Sequence, residues 1–391
     1  MHLTPHRALH PLSRAMVASW CAIASISLGS ANAQQLVTVR GAGATCVSCE
    51  LRLVDPLDLR VPDTAVALVS PFAFQQDERD RYYFNDPFGT LGVRVFDSAG
   101  RYLRTLGRRG QAPGEFLFIN AILPSRGDTL HAFGNAHWTF AADGRHLRTQ
   151  ALPDLMTVSR MITLRDRKRL AVGSVNSADA YGQPFHLLGA DGSIERSFGL
   201  PARASVVSAW SSQRAVAPYG PAGFISAKVN QYELEIWTSD GQLNRTLSRD
   251  AEWFQPWTSW NSRSDQRPPP PRLMSIAVDE SGLVWTLISV ADAAWAPAAA
   301  TGREGGMPST GELGRRFDSI IEVLDPVAGK IVWSGRFSQM LIALVKPGVA
   351  IENVETEEGE VVVRVWKVTP PARAPDAPSA RRPPSARPRC P

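Results

Sequence analysis

Gly100-Arg-Tyr-Leu-Arg104-Thr105 is a phrase the chain uses four times. It returns as Gly144-Arg-His-Leu-Arg148-Thr149, Gly192-Ser-Ile-Glu-Arg196-Ser197 and Gly241-Gln-Leu-Asn-Arg245-Thr246. The glycines stand 44, 48 and 49 residues apart, and Asp143, Asp191 and Asp240 directly precede three of them. Each glycine separates two alternating runs. Val93-Arg-Val95-Phe96 leads into the first and Tyr102-Leu103-Arg104-Thr105-Leu106 leaves it; Leu234-Glu-Ile236-Trp237 and Leu243-Asn-Arg245-Thr246-Leu247 do the same at Gly241. Period-two alternation describes a strand with one set of side chains per face, and Asp-Gly or Ala-Gly between two such runs supplies the positive φ of a tight hairpin. A hairpin recurring at this spacing marks a repeat architecture.

Further short apolar strands precede each hairpin, among them Tyr82-Tyr83-Phe84, Thr129 to Phe133, Leu170-Ala171-Val172 and Phe224 to Ala227. About four strands per repeat is the blade of a β-propeller. A fifth blade starts at Met274 to Val278, turns at Asp279 to Gly282, and ends in the hairpin Ile320 to Leu324 and Ile331-Val332-Trp333. The stretch 291–316, rich in Ala, Gly and Pro, reads as an insertion loop within that blade. The last blade is composite: Ala350 to Val354 and Glu360 to Trp366 supply inner strands, while Gln35 to Val39 and Leu51 to Val54 join them from the other end. Closure of this kind leaves no bare sheet edge. The expected fold is thus all-β, a six-bladed β-propeller closed by N- and C-terminal strands in one composite blade.

Arg7 and Arg14, an apolar run from Ala15 to Leu28, and Ala31-Asn32-Ala33 together describe a secretory signal over residues 1–33. The run is shorter than the ~20 residues that cross a bilayer. The propeller then occupies 34–368, and 369–391 is a Pro/Arg-rich tail without the apolar residues that would order it. Two of the charges in the formal +5 belong to the signal, and the tail holds five arginines against Asp376. The body between them is close to neutral, which argues against a nucleic-acid partner. The expected location is extracytoplasmic, periplasmic or secreted, with no membrane span after signal removal.

Phe96-Asp-Ser-Ala-Gly100 through Gly107-Arg-Arg-Gly110-Gln-Ala-Pro113-Gly114-Glu115-Phe116 resembles the NHL-type six-bladed β-propellers. It is most similar to the secreted bacterial group whose first blade ends in Gly-x-Gly-Pro-Gly-Glu-Phe, with Ala112 here where glycine is common. Trp253-Phe254-Gln-Pro256-Trp257, the prolines 268–271 and Gly282-Leu-Val-Trp285 are similar to later blades of that group. The resemblance spans roughly residues 80 to 335 and implies a fold, since this architecture carries binding, scaffolding and enzymatic roles alike.

Gly107 to Gly114 lacks the helix or Gly-Lys-Ser/Thr ending of a phosphate cradle and reads as a hinged crossover over Phe116. Cys46-Val-Ser-Cys49 has neither the second pair of a zinc ribbon nor a following histidine for haem, Glu50 standing there instead. In an exported chain the pair is a candidate disulfide pinning the N-terminal strand; a free pair or a metal site are the other readings, and Cys390 is a lone thiol on the tail. His131, His137, His146 and His186 are assigned to different blades, without ligand spacing. Trp253, Trp257 and Trp260 form either an aromatic platform for a sugar or peptide, or a helix face covering the fourth-to-fifth blade junction. Arg104, Arg148, Arg196 and Arg245 are expected to bond neighbouring backbone or carboxylates.

The expected function is a soluble exported module that binds a protein, peptide or glycan through loops at a channel mouth. The alternative is a metal-dependent propeller enzyme, a lactonase or lyase. Its divalent metal would sit at the channel mouth on residues from several blades, which spacing cannot reveal. No other cofactor is evident. The basic tail could touch the cell envelope electrostatically.

Overall fold

A computed structural model describes residues 35–39, 50–62, 65–88, 92–125, 129–152, 155–175, 182–199, 213–258, 267–297 and 309–370. Two strands, β1 (Gln35–Val39) and β2 (Arg52–Leu59), precede the blades. Blade one is β3 (Phe72–Gln76), β4 (Tyr82–Asn85), β5 (Val93–Phe96) and β6 (Tyr102–Leu106). A two-residue parallel pair, β7 (Arg108–Arg109) and β8 (Glu115–Phe116), crosses to blade two. That blade is β9 (Ile119–Pro124), β10 (Leu130–Gly134), β11 (Ala136–Phe140) and β12 (His146–Ala151). Blade three holds β13 (Leu155–Thr163), β14 (Arg169–Val175), β15 (Phe185–Leu188) and β16 (Ile194–Phe198). Blade four holds β17 (Arg214–Tyr219), β18 (Gly223–Lys228), β19 (Glu233–Thr238) and β20 (Leu243–Arg249). In blade five, β21 (Arg272–Val278) and β22 (Val284–Ala291) are followed by a short helix α1 (Thr310–Gly314), then β23 (Phe317–Asp325) and β24 (Lys330–Phe337). Blade six takes β25 (Leu341–Lys346), β26 (Val349–Glu355) and β27 (Val361–Thr369) from the C-terminal end.

The first strands of successive blades touch in the order β3, β9, β13, β17, β21, β25 and back to β3, so the sheets form a closed ring about a channel. β2 pairs antiparallel with β27 and becomes the outermost strand of blade six, which closes the ring. Two expectations need correction here. β25 is a third C-terminal strand, innermost in the composite blade, and went unread. β1 does not enter that blade: it pairs parallel with β20, outside blade four. Leu51 then donates its N–H to Ser334 of β24 at 3.0 Å before β2 begins. The N-terminal segment therefore meets the outer strands of blades four, five and six in turn.

The core lies in the seams between blades. Because side chains alternate between faces, Leu130 and Ala132 of β10 join the blade-one seam while Phe133 joins the blade-three seam. Both faces are covered, so β4 and β5 are buried at every residue.

The repeated phrase has a physical role on each side. Gly100, Gly144, Gly192 and Gly241 sit at φ of 79°, 92°, 85° and 81°, where an L side chain costs about 1–2 kcal/mol. A Cβ there would also meet the outer strand of the preceding blade: Leu57, Leu106, Gln150 and Phe198 respectively, each within 3.0 Å. The arginine reaches the other way. Arg104 donates to the carbonyl of Ala142 at 3.0 Å and Arg245 to that of Pro326 at 3.1 Å, each in the next blade's turn. Arg196 favours the charge of Asp240, again one blade on. The phrase is a blade-to-blade joint, as expected of backbone- and carboxylate-bonding arginines. The Gly107 crossover also behaves as read, with Phe116 pressed so close that a Cβ at Gly107 would lie 2.0 Å from its ring.

Candidate functional site

Turns joining first and second strands line a cavity at one end of the channel. Those of blades one and three are five-residue turns of the same form as the outer hairpins: Asp80 N–H bonds to the Asp77 carbonyl at 3.1 Å and Arg167 N–H to that of Leu164 at 2.9 Å. Where the outer turns use glycine, these place Asp80 and Arg167 at φ of 59° and 70°. A charged residue in the left-handed region is a strained choice, of the kind that concentrates at functional sites.

Between these turns lies a cavity of about 1150 Å³. Blade one contributes Gln75, Gln76, Asp77, Glu78, Arg79 and Arg81; blade two Leu123, Pro124, Ser125 and His131; blade three Thr163, Leu164, Arg165, Arg167 and Arg169; blade four Pro218. Five arginines thus face two carboxylates. Asp77 is already engaged: its Oδ1 accepts the N–H groups of Arg79 and Arg81, each at 2.9 Å, and its Oδ2 accepts Arg81 Nε at 2.7 Å and the Tyr83 hydroxyl at 2.9 Å. Burial opposes its charge, but the bonds from Arg81 and Tyr83 outweigh it and hold the carboxyl below its ordinary value. Arg169 donates to the carbonyls of Gly189 and Ala190 at 2.9 and 3.0 Å, which fixes its guanidinium at the wall.

Within the wall, His131 Nδ1 lies 2.8 Å from His137 Nε2 and 3.2 Å from Thr139 Oγ1. Burial, and then the charge of Arg169, lower His131 to about 4; burial, the His131 charge and Arg169 lower His137 to about 3. Both rings are neutral at pH 7 and contribute hydrogen bonds without charge. This corrects the expected dispersal of histidines, since His131, His137 and His146 all belong to blade two.

Trp253 packs with Tyr232 and Phe254, ring centroids 6.0 Å away in each case, and the Trp257 indole donates to the Pro271 carbonyl at 2.7 Å. They lie on the crossover from blade four to blade five, as expected, but residues 251–258 form no helix; turns and bonds to Asn230 shape them instead. Trp260, Cys46, Cys49 and Cys390 lie outside the described residues. Among the described residues no group of three or more His, Cys, Asp or Glu converges as a metal site.

The cavity arginines went unread in the sequence. Their signal was there, in Asp77-Glu-Arg-Asp-Arg81 and Arg165-Asp-Arg-Lys-Arg169, two charge-dense turns at matching places in their blades.

No family model and no curated protein matches the chain. Among solved structures it is similar to a Bacteroides fragilis protein described as exported, with a TM-score of 0.56 and 11% identity over 86% of this chain and 100% of that one. It is also similar to virginiamycin B lyase of Staphylococcus aureus in an inactive form with quinupristin, with a TM-score of 0.45 and 10% identity over 82% and 100%. At 11% identity the first of these shares only its fold with this chain. That fold is the six-bladed β-propeller.

No helix among the described residues is long and apolar enough to cross a membrane.

Proposed function

We propose that this chain is an exported, NHL-type β-propeller that works as a binding module, with its ligand seated in the arginine-lined cavity at the channel mouth. The observation that carries the reading is the cavity itself. It is of ligand size, it is built from loops on a rigid ring, and two of its cations, Arg165 and Arg167, are in no ion pair among the described residues. Export is supported by the basic, apolar and small-residue order of residues 1–33.

Native mass spectrometry of the purified chain after incubation with an extract of its host's cell envelope tests the reading. A bound species is expected on the wild type and absent from the Arg165→Glu/Arg167→Glu variant. Equal capture by both proteins, or no bound species on either, would reject the cavity as the ligand site.

A further inference from the structure

The six strands nearest the channel carry no carboxylate at all. β3, β9, β13, β17, β21 and β25 include Arg160, Arg214, Arg272 and Lys346, and no Asp or Glu. Acidic residues are plentiful two strands further out, where β19 has Glu233 and Glu235 and β23 has Asp318, Glu322 and Asp325. Two of the inner cations are answered from elsewhere: Arg214 lies 4.0 Å from Glu235, and Lys346 pairs with Asp80.

Arg160 is not answered. Its Nη2 donates to the Met274 carbonyl at 2.9 Å, a bond from blade three to blade five that spans the channel past the inner strand of blade four. Its side chain is reached by solvent, yet the surrounding protein lowers its pKa by desolvation, with no carboxylate acting against that effect. Thr163, three residues along the same strand, lines the mouth cavity. Arg160 therefore stands about 10 Å further into the channel at ordinary strand rise. Arg160 on the inner strand is thus followed along the chain by Arg165, Arg167 and Arg169, which line the mouth.

We infer that the ligand is an elongated oligoanion, carrying oxyanion groups about 10 Å apart, with one end among the mouth arginines and the other at Arg160. The inference rests on the cavity being the ligand site and adds the chemistry of the ligand. Guanidinium forks match carboxylate and phosphate oxygens two at a time, and the inner strands add no carboxylate to the Asp77 and Glu78 of the mouth. Apart from His131, no aromatic ring among the described residues lines the cavity, so charge rather than stacking on a sugar face supplies the affinity. The neutral side chains of Gln75 and Thr163 also line the mouth, suited to the linking atoms between the charges.

Titration calorimetry of the full chain tests this with three probes: trigalacturonate, tripolyphosphate and uncharged maltotriose. At least one of the two anions is expected to bind, with affinity that falls as salt is raised, and maltotriose is expected not to. Whichever anion binds more tightly tells a uronate source from a phosphate source. Arg167→Gln, on an exposed turn, and Arg160→Gln, in the channel, should each weaken the bound anion about tenfold, the loss of one charge-assisted contact. An unchanged melting temperature shows that Arg160→Gln is folded; if that variant is unfolded, Arg160→Lys replaces it, with the same weakening expected from the lost fork. Maltotriose binding as tightly as the anions, no anion binding, or anion binding indifferent to residue 160 would each overturn the inference. If that happens while the envelope ligand is still lost on charge reversal at 165 and 167, the ligand class is wrong and the site stands; if the envelope ligand also persists, the site is wrong.

Discussion

The seam between blades four and five and the seam between blades two and three both bury polar groups, and they do so in opposite ways. In the first, Glu322 of β23 accepts a two-pronged bond from Arg249, 3.1 Å to Nε and 2.9 Å to Nη2, and a third from the Tyr232 hydroxyl at 2.9 Å. Thr286 closes the group, its Oγ1 lying 2.7 Å from the Tyr232 oxygen and 3.0 Å from the Glu322 carbonyl. Burial and Glu322 push the Tyr232 phenol well up, and Arg249 is raised by its bonds to Glu322 despite burial. In the second seam two neutral histidines sit against Arg169 and Arg148 with no carboxylate among them; Asp191, in an exposed turn, acts on Arg169 only at a distance. A balanced, closed group makes a seam that holds. An unbalanced one that opens onto a cavity suits a place where something else brings the negative charge.

Among single substitutions, the contrast is broken most strongly at Glu322. Glu322→Gln removes the bonded anion of the closed seam and leaves Arg249 with only the unbonded charge of Asp250, a loss of about 3 kcal/mol in urea unfolding. A loss below about 1 kcal/mol would mean that the two seams do not differ as described.

Acid should act on the other seam. Unfolded, its histidines take up protons near 6.5; folded, only near 4 and 3. Between those values the unfolded chain holds more protons, so stability is complete above about pH 6.5 and declines as pH falls toward 4 and 3. At about 1.4 kcal/mol per pH unit for each ring, the decline should reach roughly 5 kcal/mol for the pair by pH 4.5. His186, also buried and lowered, adds to it. Carboxylates with lowered values, Asp58 and Asp77 among them, act at lower pH, below 3.8. His131→Gln/His137→Phe should therefore flatten the urea stability profile between pH 6.5 and 4.5; a profile as steep as that of the wild type would count against a neutral pair.

The smallest effect belongs to Tyr232→Phe, which leaves the Arg249–Glu322 fork in place and removes one buried hydroxyl. About 1 kcal/mol is expected from the same unfolding experiment. A loss equal to that of Glu322→Gln would show that the hydroxyl and the ion pair act as one unit.

How much of this was legible in the sequence follows the range of each interaction. The outer hairpins could be read because their cause is local: a residue at positive φ, an alternating strand on each side, and a bond across five residues. β1 could not be placed, because five residues of strand pattern do not say whether they pair with β27 or with β20. β25 escaped although Pro347-Gly348 marks the turn after it, Gly348 lying at φ of 75°, because Leu341 to Lys346 has no period-two alternation of its own. The cavity arginines were visible as charge-dense turns, but nothing in either turn reveals that blade one and blade three bring them to one rim.

What the sequence alone determined is the repeating unit, since strand alternation and left-handed glycines are enforced within a few bonds of the residue concerned. Which strand lies innermost, which blade follows which, and hence that the innermost strands have cations and no carboxylates, were decided only when the ring closed. Closure joins residues some 300 positions apart, as in the bidentate pair of Asp58 with Arg364, and contacts of that range leave no trace in any short stretch of chain.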